Sequence, residues 1–193
     1  MIFKQETQIL KCTFEKEHFS KVKAAFKDRW PVVYIIEDDE KGQAYIGEST
    51  NICTRICDHW NNTERRALKN IYIIFNKVFN KSVILDLEAF LIGYIVADGK
   101  YRLQNGNGGQ HVHNYYLRDE YQREFRHIWQ LLQDEGVVRH GITLLENQDL
   151  FKYSPYKILN LDQFNVAVQI LTDLKYDLGN NNQSRSFIID GGA

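Results

Sequence analysis

The hydrophobic pattern divides this chain into short β-like runs and longer stretches with helical spacing. In residues 14–29, FEKEHFSKVKAAFKDR, the apolar side chains Phe19, Val22, Ala25 and Phe26 recur at helical intervals, and Pro31 follows as a stop. Val32 to Ile36 is β-branched and aromatic. It meets an acidic turn containing Gly42, and a second such run covers Ala44 to Ile46, so the pair predicts a β-hairpin. Gly47 is expected to end the second strand and turn the backbone into a helix over ESTNICTRICDHW, with Ser49, Thr50 or Asn51 as cap. Residues 70–76, NIYIIFN, form a third strand by composition. Ser82 is then expected to cap a long, mostly buried helix, VILDLEAFLIGYIVAD, and the Gly- and Asn-rich stretch 102–110 closes the unit as a loop.

A further helix is expected over 115–135, with Phe125, Ile128, Trp129 and Leu132 on one stripe, before breakers at Gly136 and Gly141. An amphipathic helix at 161–174, a polar loop and the apolar run SFIIDGGA follow. The fold class expected is α/β (α+β), a small three-stranded antiparallel sheet flanked by helices with a helical extension. Its divisions are an N-terminal helical segment at 1–29, the sheet-bearing unit at 30–110, a helical extension or linker at 111–150, and a distinct tail at 151–193.

Composition narrows the class without naming a partner. The chain has 193 residues, 44% hydrophobic and 25% charged, which fits a soluble globular protein with a real core. Its net charge of −1 is no global nucleic-acid signature, although a local basic patch on a neutral protein binds phosphate equally well. Three cysteines, Cys12, Cys53 and Cys57, with no framework spacing suit a reducing compartment. The N-terminus has no basic start followed by an apolar run, and no apolar stretch is long enough to span a bilayer. A cytoplasmic protein without a membrane partner is expected.

The candidate chemistry lies in the sheet-bearing unit. Tyr34 and Tyr45 stand eleven residues apart on paired strands, so both hydroxyls can reach one face. Arg55 and His59 follow, four apart on one helix face. Glu88 sits in the long helix among Leu85, Leu87, Phe90, Leu91 and Ile92, where a carboxylate must lie at the edge or find a partner; Asp86 is the competing acid, nearer the cap. Asn105 and Asn107 both occupy the closing loop, Asn105 being preferred. Each residue alone has an ordinary role: packing for a tyrosine, a solvated charge for an arginine, structure for a histidine. Cys53, Cys57 and His59 are too few ligands for zinc, and His111 and His113 alternate beside a Gly-rich loop without further support for a metal. NGNGG lacks the strand-to-helix context and lysine of a nucleotide loop.

Taken in order, VVY, AYIGEST, Arg55, His59, Glu88 and the loop asparagine resemble the GIY-YIG nuclease family over about residues 30–110. The first triplet departs, reading Val32-Val33-Tyr34 instead of Gly-Ile-Tyr, and keeps the tyrosine. The resemblance implies metal-dependent hydrolysis of DNA phosphodiester bonds, with Tyr34, Tyr45, Arg55, His59, Glu88 and Asn105 as site residues. Glu88 would hold one Mg²⁺ or Mn²⁺ and Arg55 the scissile phosphate. Tyr34 or Tyr45 would orient or deprotonate the attacking water, which requires a nearby cation to lower the phenol's pKa, and His59 would relay the proton. Asn105 would steady the metal shell or the loop.

The tail carries a second resemblance. SFIIDGGA resembles the first strand of a P-loop ATPase, with Gly191 as the first glycine and Gln163 as an adenine reader, but the remaining glycine, lysine and hydroxyl residue are missing. The expectation is the nuclease module of a longer nuclease–ATPase protein, cut at the ATP site and unable to hydrolyse ATP. The alternatives are a DNA-binding module that kept the fold without turnover, and a protein-interaction scaffold using residues 111–175.

Overall fold

The computed structural model describes residues 7–26, 29–106, 108–110, 114–147, 166 and 170. Five strands form one sheet: β1 (Gln8–Thr13), β2 (Val32–Asp38), β3 (Gln43–Ser49), β4 (Asn70–Phe75) and β5 (Arg102–Leu103), in the order β1-β4-β2-β3-β5. All neighbours run antiparallel except β3 and β5, which are parallel. The three strands expected from sequence are the central ones. β1 and β5 are additions at the two edges. β1 lies in the segment expected to be helical; as an edge strand it buries only part of each face, so QILKCT shows weak alternation. β5, two residues long within the expected loop, is too short to carry any period.

The helices are α1 (Phe19–Ala25), α2 (Ile52–Asn61), α3 (Thr63–Arg66), α4 (Lys81–Asp98), α5 (Arg118–Asp134) and α6 (Ile142–Glu146). α1 is shorter than the periodicity suggested, because the preceding Lys16–His18 forms a single 3-10 turn. Asn51 caps α2, its side chain accepting from the Thr54 N–H. Asn80, not Ser82, caps α4. Its backbone is extended (φ −129°, ψ 177°) and its Oδ1 accepts from the Val83 N–H at 3.2 Å, which leaves Ser82 inside the first turn.

Side-chain alternation gives each face of the sheet its own core. Val32, Tyr34, Ile36, Tyr45, Ile71 and Ile73 point to the face covered by α1 and α2. Val33, Ile35, Ala44, Ile46, Tyr72 and Ile74 point to the other face, against α4 and the α5–α6 extension. α4 is apolar nearly all round because it is sandwiched between the sheet and α5. Among the described residues no helix is long and apolar enough to cross a membrane.

The outer edge of β3 decides where the site lies. β5 covers only Gln43 and Ala44. Beyond it, Gln104 N–H donates to Ala44 O at 2.8 Å. Asn105 then substitutes for a strand: its Oδ1 accepts from Ile46 N–H at 3.0 Å and its Nδ2 donates to Ile46 O at 2.8 Å. One step further, the Glu48 backbone N–H lies close enough to the carboxylate of Glu88 on α4 to stabilise its charge. A row of backbone groups that would otherwise be unpaired is thus satisfied by side chains, and it brings α4 to the end of β3.

Candidate active site

The two tyrosines share a face because of strand register. Tyr34 stands opposite Gly47, and Tyr45 opposite Ile36. Gly47 lies inside β3, so its function is not the turn expected of it. A Cβ at that position would stand 2.3 Å from the Tyr34 hydroxyl oxygen and 2.5 Å from its Cζ. The glycine of the second motif makes room for the tyrosine of the first, and the Tyr34 ring lies across the neighbouring strand with no exposed surface (0%).

α2 supplies the next groups. Ile52, Ile56 and His59 form its buried stripe, with Arg55 at the exposed margin. His59 Nε2 lies 2.7 Å from the Tyr34 hydroxyl, and Arg55 Nε donates to the same oxygen at 3.2 Å. The Tyr34 oxygen accepts from Arg55, and in the Nδ1–H tautomer of neutral His59 the Tyr34 hydroxyl donates to Nε2. Burial, together with the charges of Arg55 and Arg65, depresses the His59 pKa to about 3. His59 is 2% exposed and neutral at physiological pH. The Tyr34 pKa is raised, chiefly by burial and then by Tyr45, against the opposing pull of Arg55. At Tyr34 loss of solvent outweighs the guanidinium.

The low pKa of His59 has a measurable consequence. An unfolded histidine takes a proton near pH 6.5 and the folded one does not, so stability is complete above that pH and falls as the pH drops toward 3. At pH 5 the loss is about 2 kcal/mol relative to pH 7.5. Urea unfolding at the two pH values should show this increment for the parent, and its disappearance in His59→Gln, whose amide still accepts from Tyr34. An equal acid loss in both proteins would remove His59 as the cause.

Tyr45 completes the pocket. Its ring centroid is 4.8 Å from that of His59, and Arg65 lies with Cζ 3.9 Å above the Tyr45 ring. The Tyr45 hydroxyl also lies close enough to act on the Arg55 guanidinium. Glu88 faces this group from the β3 edge, close enough for its charge to act on Tyr34 and to feel Arg55. Burial and the neighbouring Glu48 push its pKa up to about 7, while Lys81, the Glu48 N–H and Arg55 oppose the rise. Lys81 is paired with Glu48, and the second Glu48 oxygen, Oε2, is buried without a hydrogen-bond partner. Asp86, the rival acid, is tied elsewhere: Tyr115 Oη donates to it at 2.8 Å and Gln122 Nε2 at 2.7 Å, with Arg118 alongside. It binds α5 to α4.

Tyr34, Tyr45, Arg55, His59 and Glu88 therefore gather at one end of β3. Asn105 is held beside them on the Ile46 backbone, in the role of fastening the loop. The loop then presses on α4, where a Cβ at Gly109 (φ +79°) would meet Ala89 Cα at 2.9 Å, next to Glu88. Asn107, His111 and His113 lie outside the described residues, as do the tail positions Gln163 and Gly191. Two members of the cluster escaped sequence reasoning, Glu48 and Arg65. Glu48 follows the YIG triplet directly, but neither has a spacing that marks it.

A mixed sheet flanked by helices thus carries two phenols, a guanidinium, an imidazole and a carboxylate near one strand end. Residues 31–101 match the family described as the GIY-YIG catalytic domain. This is a nuclease family. No curated protein and no solved structure matches the chain. The residues present suit the divalent cation such domains use. Glu88 and Glu48 offer hard carboxylate oxygens, one of them buried and unbonded, in a pair whose like charge a cation would relieve. Among the described residues no three His, Cys, Asp or Glu side chains converge, so water and phosphate oxygens would complete the shell.

Proposed function

We propose that this protein is a metal-dependent endonuclease that hydrolyses DNA phosphodiester bonds at the pocket beside β3. The observation that carries the proposal is the chain Arg55 Nε–Tyr34 Oη–His59 Nε2, set against Glu88 at the same strand end. Hydrolysis needs an oriented water, a fixed phosphate and a destination for the proton.

Arg55 is exposed, yet one of its five N–H donors is anchored on Tyr34, so the fork is oriented with further donors available to a phosphate. Tyr45 keeps 8% exposure while Tyr34 has none, and Tyr45 is the phenol that meets the attacking water. Tyr34 holds Arg55, and its own proton is already aimed at His59. A bound phosphate offsets Arg55 and Arg65, the two cations that keep His59 from accepting a proton, so substrate itself makes His59 a better acceptor. Glu88, with Glu48 beside it, would hold Mg²⁺ or Mn²⁺, which as a Lewis acid stabilises charge on the phosphoryl and leaving oxygens.

The test is incubation of supercoiled plasmid with the protein and Mg²⁺ or Mn²⁺. The parent should nick it. Arg55→Ala should lose about a hundredfold or more in rate while its circular dichroism stays parental, since the side chain is exposed. Binding by the parent without any cutting would refute the catalytic proposal in favour of a DNA-binding module. Coupling to a helicase-like ATPase has its support only in the sequence of residues 151–193, of which the structure describes only 166 and 170.

A further inference from the structure

Among the described residues, Arg65 is a charged side chain that the fold positions without a charge partner. Asn62 caps α3 by accepting from the N–H groups of Glu64 and Arg65, both at 3.1 Å. This cap fixes the turn that brings Arg65 back over the C-terminal end of α2. The guanidinium stacks on the Tyr45 ring at 3.9 Å. Its Nε is buried and has no hydrogen-bond partner, and no carboxylate pairs with it among the described residues. A buried N–H donor left unbonded is costly, and a fold that needed only an aromatic cover could use an apolar side chain there. The next residue, Arg66, is exposed on the same turn, so the two arginines differ in setting and not in charge.

We propose that Arg65 is a second phosphate-holding residue, one that positions the DNA backbone next to the phosphate gripped by Arg55. The inference rests on the nuclease proposal above. Arg55 and Arg65 both approach Tyr45, Arg55 at its hydroxyl and Arg65 over its ring face. A guanidinium held flat by stacking keeps its donor edge directed, which suits the oxygens of a phosphodiester better than a mobile lysine does. Arg65 is a positioning residue in this account, because Arg55 and not Arg65 is bonded to the Tyr34–His59 pair.

The experiment measures binding of a fluorescent duplex oligonucleotide across a range of salt concentrations, in the cleavage-deficient Glu88→Gln background. Each phosphate contact contributes about 0.9 to the slope of log affinity against log salt. Arg65→Gln is expected to lower that slope by about 0.9 and the affinity by about tenfold at low salt. Arg65→Lys should keep the slope and lose part of the affinity, because charge remains and the planar fork does not. Arg66→Gln should leave both near the background values. In the Glu88-intact enzyme, Arg65→Gln should raise KM more than it lowers kcat. An unchanged slope in Arg65→Gln, even with cleavage lost, would overturn the inference and leave Arg65 as packing for Tyr45. An equal fall in Arg66→Gln would overturn it too, by showing general charge attraction. A Glu88→Gln protein that binds no duplex at all would overturn the nuclease proposal and this inference together.

Discussion

Glu88→Ala abolishes cleavage, by about a thousandfold or more, while the folding free energy of the metal-free protein stays within about 1 kcal/mol of the parent. The rate estimate follows from the several kcal/mol that a cation contributes to charge stabilisation when phosphate is the reacting group. The small stability change is the more informative half. Glu88 is half-buried and its carboxylate sits beside Glu48 with its pKa pushed up to about 7, so the fold does not depend on its charge. Removing it loses the contact with the Glu48 N–H and relieves one like-charge contact, and the two effects oppose each other. Plasmid nicking, Mn²⁺ binding by electron paramagnetic resonance, and urea unfolding in EDTA check the three parts. Parental cleavage by the variant would remove Glu88 from the metal site. A large loss of stability would make it a structural acid like Asp86, which is held by Tyr115, Gln122 and Arg118.

Gly47→Ala has the opposite character, a loss of fold that carries activity with it. One methyl group at this position meets the Tyr34 ring at 2.3 to 2.5 Å, and the ring has nowhere to move because it is fully buried between β2, β3 and α2. Overpacking of this kind costs about 1–3 kcal/mol or more. Any relief by rotation of Tyr34 separates its hydroxyl from His59 and Arg55, so cleavage should drop at least about a hundredfold even below the unfolding temperature. A paired substitution identifies the cause. Tyr34→Leu in the Gly47→Ala background should recover much of the stability, because the two residues are cross-strand neighbours and their effects are not additive. Cleavage should not return. Simple addition of the two losses would show that alanine disturbs β3 by some other route.

These two positions also show what the sequence could and could not convey. Glu88 was legible because a carboxylate amid Leu85, Leu87, Phe90 and Leu91 needs a reason. The two tyrosines, Arg55 and His59 were legible because hairpin register and helical spacing are local. Gly47 reads as a turn in the sequence because a glycine between a strand and a helix looks the same whether it bends the chain or makes room for a ring. Only the pairing Tyr34↔Gly47 separates the two functions, and register is a tertiary fact. Asn80 and Ser82 are both good caps, and the choice depends on which residue takes extended backbone. At Tyr34 the sequence shows the neighbouring Arg55 but not the burial that outweighs its pull. Arg65 and Glu48 were invisible for the same reason: each acquires its setting from a turn or a strand end, not from spacing.

The outer rim of β3 has a practical consequence for anyone handling the protein. Asn105 and Glu88 close that rim with an amide and a carboxylate where another sheet would use a neighbouring chain segment. Truncating either side chain uncovers main-chain donors that invite a second molecule to add itself strand by strand. Glu88→Gln is accordingly the better inert form for crystallisation or storage: its amide oxygen still caps the Glu48 N–H, and the preparation should remain clear at concentrations where the alanine form turns cloudy.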